Sequence, residues 1–225
     1  MPLQLGNTAV SKMYLGDNEV ARMYLGDNLV YQSGDTPPSG IMYMVGDRNA
    51  ALFTLNPSTG VATRVGSAFR FGINESLPRG LTAIGNTLYM VGDRNQTLLT
   101  VDRTTGIAST NDSSYRFGIV ENNARGLTAI GNTLYMLGRR FRSLFTVDTS
   151  TGVATIITSR ALSSFGVNES LPTGLTAIGN TLYMVGQTNS VLYTVDTTTG
   201  VATRIGSSTS FGVNEDRPWG LAYIS

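Results

Sequence analysis

Residues 126–157 read GLTAIGNTLYMLGRRFRSLFTVDTSTGVATII, four short apolar runs separated by turn residues. The runs are rich in Val, Leu, Ile, Thr and Tyr, which favour the pleated surface of a β-strand. Gly131-Asn132 is a two-residue hairpin signal, and Asp148 precedes a Thr-Gly turn that its side chain is suited to cap. No helical period runs through the stretch. It therefore predicts a four-stranded antiparallel sheet.

This stretch is one copy of a repeat. The string LTAIGNT occurs at residues 81–87, 127–133 and 175–181, and YMVG or YMLG ends at residues 46, 92, 138 and 186. The spacing is thus 46, 46 and 48 residues, a period typical of one propeller blade. We predict an all-β fold, a four-bladed β-propeller of four-stranded blades over residues 41–225.

The two ends of the repeat array predict how the propeller closes. The first copy starts at Ile41 with its second strand, whereas residues 220–224, GLAYI, form a further copy of the first strand. Supplying the missing strand of the first blade from the C-terminus leaves no unpaired sheet edge. An open stack of sheets is the alternative.

Residues 1–33 carry a different, ten-residue repeat of the form LGxxxV. Each unit predicts one strand and one Gly-Asn or Gly-Asp turn, and such a module is too small to bury an adequate core alone. We expect residues 1–33 to attach to a partner or to oligomerise, and residues 34–40 to be a linker. The expected attachment residues are Val10, Tyr14, Val20, Tyr24 and Val30.

Composition excludes several function classes. The 225 residues include no His and no Cys, and their formal net charge is +1. Disulfides, thiol nucleophiles and imidazole chemistry are therefore excluded, and near-neutral charge argues against nucleic acid. No secretory signal and no long apolar run is present, so no membrane insertion is expected. We predict that the chain is not an enzyme; a hydrolase with an unrecognised carboxylate site is the remaining alternative.

The string FGxxE recurs between consecutive blades, at residues 71–75, 117–121, 165–169 and 211–215. Its acidic residues would form a ring able to hold Ca²⁺ if they faced the central channel, and these are Glu75, Glu121, Glu169 and Glu215. The alternative is structural: Phe packs between blades, while Glu pairs with Arg79, Arg125 or Arg217, or caps loop amides. No cofactor is otherwise expected. The repeated Asp102, Asp148 and Asp196, with Asn56, are interpreted as turn caps.

Loops between the second and third strands vary while the strands hold constant. They read Gly-Asp-Arg-Asn at 46–49 and 92–95, Gly-Arg-Arg-Phe at 138–141 and Gly-Gln-Thr-Asn at 186–189. Such loops are candidate contact sites, and the basic patch at 139–142 would suit an acidic neighbour. The candidate ligand contacts are Arg48, Arg94, Arg140 and the single tryptophan, Trp219. The recurring Tyr43, Tyr89, Tyr135 and Tyr183 are expected to pack within or between blades.

The LGxxxVxKxYLGxxxV pattern of the first thirty residues resembles a small anchoring module of tail-fibre and capsid-decoration proteins of tailed bacteriophages. The propeller is similar to the repeat-built propellers of phage fibres and lectins. The resemblance implies a non-enzymatic virion protein, made in the host cytoplasm and exposed on the particle surface. It would bind other virion proteins through residues 1–33 as a homo-oligomer. The alternative is a lectin-like propeller that binds a host-surface glycan.

Overall fold

The computed structural model describes the backbone of the strands within residues 4–32, and residues 41–46, 49–57, 59–75, 77–92, 95–110, 115–119, 123–157, 163–167, 171–188 and 190–206. At residues 115–116 and 163–164 the description is of the backbone only. The chain divides into two compact units, residues 1–42 with 55–62, and residues 43–54 with 63–224. No helix among the described residues is long and apolar enough to span a membrane.

The N-terminal repeat forms three separate two-stranded hairpins: β1 (Gln4–Leu5) with β2 (Thr8–Ala9), β3 (Tyr14–Leu15) with β4 (Asn18–Glu19), and β5 (Arg22–Leu25) with β6 (Asn28–Gln32). The prediction of one strand per unit is therefore wrong. The two turn residues of each unit, Gly followed by Asn or Asp, connect two paired strands, because such dipeptides close tight hairpins. Of the expected attachment residues, Tyr14, Tyr24 and Val30 lie in these strands, whereas Val10 and Val20 lie outside the described residues.

The remainder is all-β, a four-bladed β-propeller as predicted. Blade 1 comprises β7 (Met42–Gly46), β8 (Ala51–Leu55) and β9 (Ala62–Arg64). Blades 2 to 4 are antiparallel four-stranded sheets whose strands pair in chain order. They comprise β10 (Pro78–Ile84), β11 (Thr87–Gly92), β12 (Leu98–Val101) and β13 (Ala108–Thr110); β14 (Ala124–Ile130), β15 (Thr133–Gly138), β16 (Ser143–Val147) and β17 (Ala154–Ile156); and β18 (Pro172–Ile178), β19 (Thr181–Gly186), β20 (Leu192–Val195) and β21 (Ala202–Arg204).

Blade 1 has three strands among the described residues, and the predicted closing strand, residues 220–224, lies outside them. Met44 is 39% exposed, whereas the equivalent Met90, Met136 and Met184 are fully buried. In blades 2 to 4 each of these buried Met residues is the register partner of the Leu in the first strand.

Adjacent blades come close at the glycine of the repeated Gly-Leu-Thr-Ala-Ile string. A Cβ placed on Gly80 would lie 2.8 Å from the Cβ of Leu127, and one on Gly126 would lie 2.8 Å from the Cβ of Leu175. Real Cβ atoms do not approach this closely. The glycine therefore sets how near the first strands of consecutive blades can come.

Phenylalanine fills the space between blades, as predicted for the FGxxE strings within the described range. Phe71, Phe117 and Phe165 are fully buried, each in a short 3-10 helix (Phe69–Gly72, Tyr115–Gly118 and Ser163–Gly166). Phe117 packs with Leu98 of blade 2 and with Phe145 of blade 3. All three Phe residues have positive φ, at 56°, 54° and 58°, a costly conformation that burial between two sheets holds in place.

Candidate functional site

The variable loops end in a residue with the same backbone conformation in all four blades. We define the tip loops as residues 47–50, 93–96, 139–142 and 187–190, which connect the second and third strands of each blade. The last residue of each has left-handed backbone: Ala50 (φ 44°), Gln96 (φ 52°), Arg142 (φ 50°) and Ser190 (φ 50°). Left-handed backbone is uncommon outside glycine, so its recurrence at four different residue types reflects the architecture. The side chain at this position therefore varies on a constant backbone conformation.

Glu75 fixes the tip loop of blade 2 to the connection that precedes it. The side chain is fully buried; its Oε1 accepts the backbone N–H of Leu77 at 2.7 Å and its Oε2 that of Asn95 at 3.0 Å. The Asn95 side chain donates back to the carbonyl of Ile73 at 3.5 Å. Gly92 is required here, because a Cβ at that position would overlap the Glu75 carboxylate.

In blades 3 and 4 a backbone hydrogen bond joins the tip loop to the residue that precedes the first strand of the blade. The N–H of Arg139 donates to the carbonyl of Asn123 at 3.0 Å, and the N–H of Gln187 donates to the carbonyl of Leu171 at 2.9 Å. Arg139 and Gln187 are the first residues of their tip loops. The loops are thus tethered at their start as well as shaped at their end.

These bonds give Glu75 the amide-capping role rather than that of a calcium ligand facing a channel. Both of its oxygens accept backbone N–H groups, and within the described parts of the chain no cluster of three Asp or Glu side chains could hold a metal ion. The other predicted ring members, Glu121, Glu169 and Glu215, lie outside the described residues, so the ring itself stays a prediction.

The repeated aspartates cap turns, as predicted. Asp148 Oδ1 accepts hydrogen bonds from the hydroxyl of Ser150 at 2.6 Å and from the N–H of Thr151 at 2.8 Å. The bond from the Ser150 side chain is the largest of the causes that lower the pKa of Asp148 to about 2. Backbone N–H groups of Thr105 and Thr199 are the foremost causes that lower the pKa of Asp102 and Asp196. Asn56 accepts the N–H of Thr59 at 3.1 Å. These side chains therefore stabilise turns by accepting backbone hydrogen bonds.

Of the four candidate ligand contacts, Arg140 lies within the described residues. Arg140 is exposed, and its guanidinium lies 5.9 Å from the ring centroid of Phe141. Arg48, Arg94 and Trp219 lie outside the described residues. The predicted packing role of the strand tyrosines is confirmed for three that contact the buried clusters, Tyr43, Tyr89 and Tyr135.

Two features near the tip loops of blades 3 and 4 did not emerge from the sequence. Arg125, Arg139, Thr173 and Gln187 help to line a cavity of about 10 Å³, in which Arg125 is only 9% exposed. A second, apolar pocket at blade 3 involves Ile119 and Ile156. An alignment of the repeats with one another would have pointed to the apolar pocket, because Ile156 replaces Arg or Thr of the other copies.

Comparison with known proteins finds the fold but no family. No protein-family model and no curated protein matches the chain. Among solved structures, it is similar to a protein of unknown function from Bacteroides thetaiotaomicron VPI-5482, with 15% identity, a TM-score of 0.62, and coverage of 94% of this chain and 61% of that one. This likeness shows the propeller architecture alone.

Two further solved structures match with lower TM-scores. Virginiamycin B lyase from Staphylococcus aureus has 14% identity and a TM-score of 0.47 over 88% of this chain and 64% of that one. A chain of a nidogen/laminin complex has 13% identity and a TM-score of 0.47 over 69% and 71%. The chain thus spans about three fifths of the Bacteroides protein and of the lyase, 61% and 64%.

Proposed function

We propose that the chain is a non-enzymatic binding protein of a bacteriophage virion, in which the propeller presents its tip loops to a partner. The observation that carries the binding role is the fixed left-handed residue at the end of all four loops, on which the side chain differs in every blade. A repeated framework with variable loops is how binding surfaces are commonly built. The virion setting rests on the resemblance of the LGxxxV repeats.

The positions of the carboxylates support a role without chemistry. The four acidic side chains described in the propeller, Glu75, Asp102, Asp148 and Asp196, all accept backbone N–H bonds that hold turns or loops together. An acid/base pair needs two carboxyl groups placed in different environments around a substrate. Three of these four groups are instead copies of one turn cap.

Particle composition tests the virion role. Virus particles are purified on a density gradient from a lysate of cells that produce this chain. Mass spectrometry of the particles is expected to detect peptides of the chain at a constant ratio to those of the other virion proteins. Peptides found only in the soluble fraction would contradict the proposal.

The anchoring role of residues 1–33 is tested in the full chain with Tyr14→Ala and Tyr24→Ala combined. The variant is expected to lose particle association or to shift to a smaller mass in light scattering, while the thermal midpoint of the propeller is unchanged. Unchanged association together with unchanged mass would overturn the attachment role. Binding on a glycan array by a variant that no longer associates with particles would favour the lectin alternative.

A further inference from the structure

One corner of blade 3 departs from the repeat at two positions that face each other. Phe141 occupies the position that holds Asn in the other three blades, namely Asn49, Asn95 and Asn189. Ile156 occupies the position that holds Arg64, Thr110 and Arg204. Since three blades are built without these apolar side chains, the blade itself does not require them.

The two replacements create an apolar pocket. Phe141 and Ile156, together with Ile119 and Phe145, line a space of about 30 Å³. The rings of Phe141 and Phe145 meet edge to face with centroids 6.4 Å apart, and Phe141 and Ile156 are both half-buried. The space is larger than the roughly 10–15 Å³ that a cavity needs to hold one water molecule, so it accepts a small aliphatic group.

The wall of this pocket is held in place. The hydroxyl of Ser143, which is 3% exposed, donates to the carbonyl of Phe141 at 2.9 Å. The adjoining Arg142 has the left-handed conformation shared by all tip loops. The pocket therefore exists before any ligand arrives, which lowers the entropic cost of binding.

The rim of the pocket is basic. Arg139, Arg140 and Arg142 are all exposed, and the Arg140 guanidinium lies over the Phe141 ring. The corresponding residues are neutral in blade 4 (Gln187, Thr188 and Ser190). Asp148, the acidic residue described within blade 3, lies after β16, at the opposite end of that strand from the tip loop.

We propose that this corner binds an acidic peptide segment of a partner protein. We define the blade-3 corner as Ile119, residues 139–142, Phe145 and Ile156. A small aliphatic side chain of the segment enters the apolar pocket, and flanking carboxylates pair with the guanidinium groups, which match carboxylate geometry well. A nucleotide base is too large for a pocket of about 30 Å³, so the corner favours peptide over nucleic acid. This inference rests on the proposed binding role of the tip loops.

The test uses the full chain and a short fluorescein-labelled peptide with one valine between runs of aspartate and glutamate. We expect saturable binding by fluorescence anisotropy that weakens as salt rises, because exposed charge pairs are screened. The peptide with glycine in place of valine should bind about tenfold more weakly, a loss of about 1.4 kcal/mol. Equal binding of the two peptides, or no binding of the valine peptide, would overturn the proposal.

Two variants locate the site, and both restore residues found in other blades. Phe141→Asn and Ile156→Thr are each expected to weaken the valine peptide about tenfold and to leave the glycine peptide unchanged. Thr188→Ser in the blade 4 tip loop is the matched control and should bind as the parent does. Full binding by Phe141→Asn at an unchanged thermal midpoint would overturn the proposal.

A further experiment tests whether the corner prefers the acidic peptide to other polyanions. Single-stranded DNA of equal net charge should bind more weakly than the peptide and without sensitivity to Phe141→Asn. DNA binding that equals peptide binding would overturn the peptide assignment. If the peptide fails while the chain is present in purified particles, the corner proposal falls and the virion role stands.

Discussion

Glu75 accepts a hydrogen bond from the backbone N–H of Asn95 at 3.0 Å, across a separation of 20 residues. The bond joins the connection after blade 1 to the tip loop of blade 2. The carboxylate is fully buried and Gly92 leaves room for it, so this contact fastens the connection to the loop.

Replacing Glu75 with Gln tests the structural role of that carboxylate. Gln keeps one acceptor but turns an amide NH₂ toward a backbone N–H, so we expect a loss of about 1–3 kcal/mol in the free energy of unfolding, measured by urea denaturation. Calcium and chelator should change the thermal midpoint of neither protein. A calcium-dependent rise in the parent that is missing in Glu75→Gln would instead support the cation ring.

The spacing of blades predicts the effect of adding a methyl group at Gly126. Gly126→Ala should destabilise the chain by about 1–3 kcal/mol, because the new Cβ would meet the Cβ of Leu175 at 2.8 Å. Gly131→Asn is the control, since Gly131 faces open space with φ of 55° and Asn tolerates that backbone. Equal denaturation midpoints for Gly126→Ala and the parent would show that the first strands can separate without cost.

Acid should weaken the turn that Asp148 caps. Its pKa is about 2 in the folded chain, below the ordinary value of 3.8. The stabilisation it gives is therefore fully present above the ordinary pKa and is lost as the pH falls toward 2. The unfolding free energies of the parent and Asp148→Asn should converge over this range.

Ser150→Ala checks the cause of that shift. Ser150 donates the 2.6 Å hydroxyl bond to Asp148, so its removal should raise the Asp148 pKa, observed by NMR titration of the carboxyl carbon. Thr149→Ala in the same turn is the matched control. An unchanged Asp148 pKa in Ser150→Ala would assign the shift to the backbone N–H groups instead.

The cysteine-free chain allows a direct test of closure. In blades 2 to 4 the first-strand Leu pairs with a Met, as Leu127 does with Met136, and the equivalent positions of blade 1 are Met44 and Leu221. Paired residues of antiparallel strands lie about 4.5–5.5 Å apart between Cα atoms, a distance that a disulfide spans. The double variant with Met44→Cys and Leu221→Cys should therefore form a disulfide within one chain.

Non-reducing electrophoresis and mass spectrometry read the result. Met44→Cys with Ser225→Cys, which moves the second thiol out of register, should crosslink far less. A disulfide that forms between two chains would mean that copies exchange the closing strand. A free thiol pair under oxidising conditions would support the open stack of sheets.

Much of the fold follows from the repeat itself. The period, the four strands and the Asp-capped turns are local properties, and the structure places Asp148 and Phe117 as predicted. The prediction of one strand per N-terminal unit is wrong because each turn dipeptide joins two paired strands. Local patterns could not reveal that Glu75 reaches Asn95, since that contact depends on how consecutive blades pack.

The blade-3 corner shows a second limit. Phe141 stands among basic residues in the sequence, whereas Ile156 is one apolar residue within a strand. The two become a pocket only when the register places Ile156 opposite Phe145. The difference between equivalent positions of the four blades therefore marks this corner, whereas the pattern along the chain does not.

The shared left-handed residue at positions 50, 96, 142 and 190 means that the four loops end in the same backbone conformation. A loop sequence that evolved in one blade can be copied into another without rebuilding the strands beneath it. Duplication of a gene segment followed by drift in four codons would then diversify what the molecule recognises, and the same property offers a ready scaffold for grafting chosen tetrapeptides.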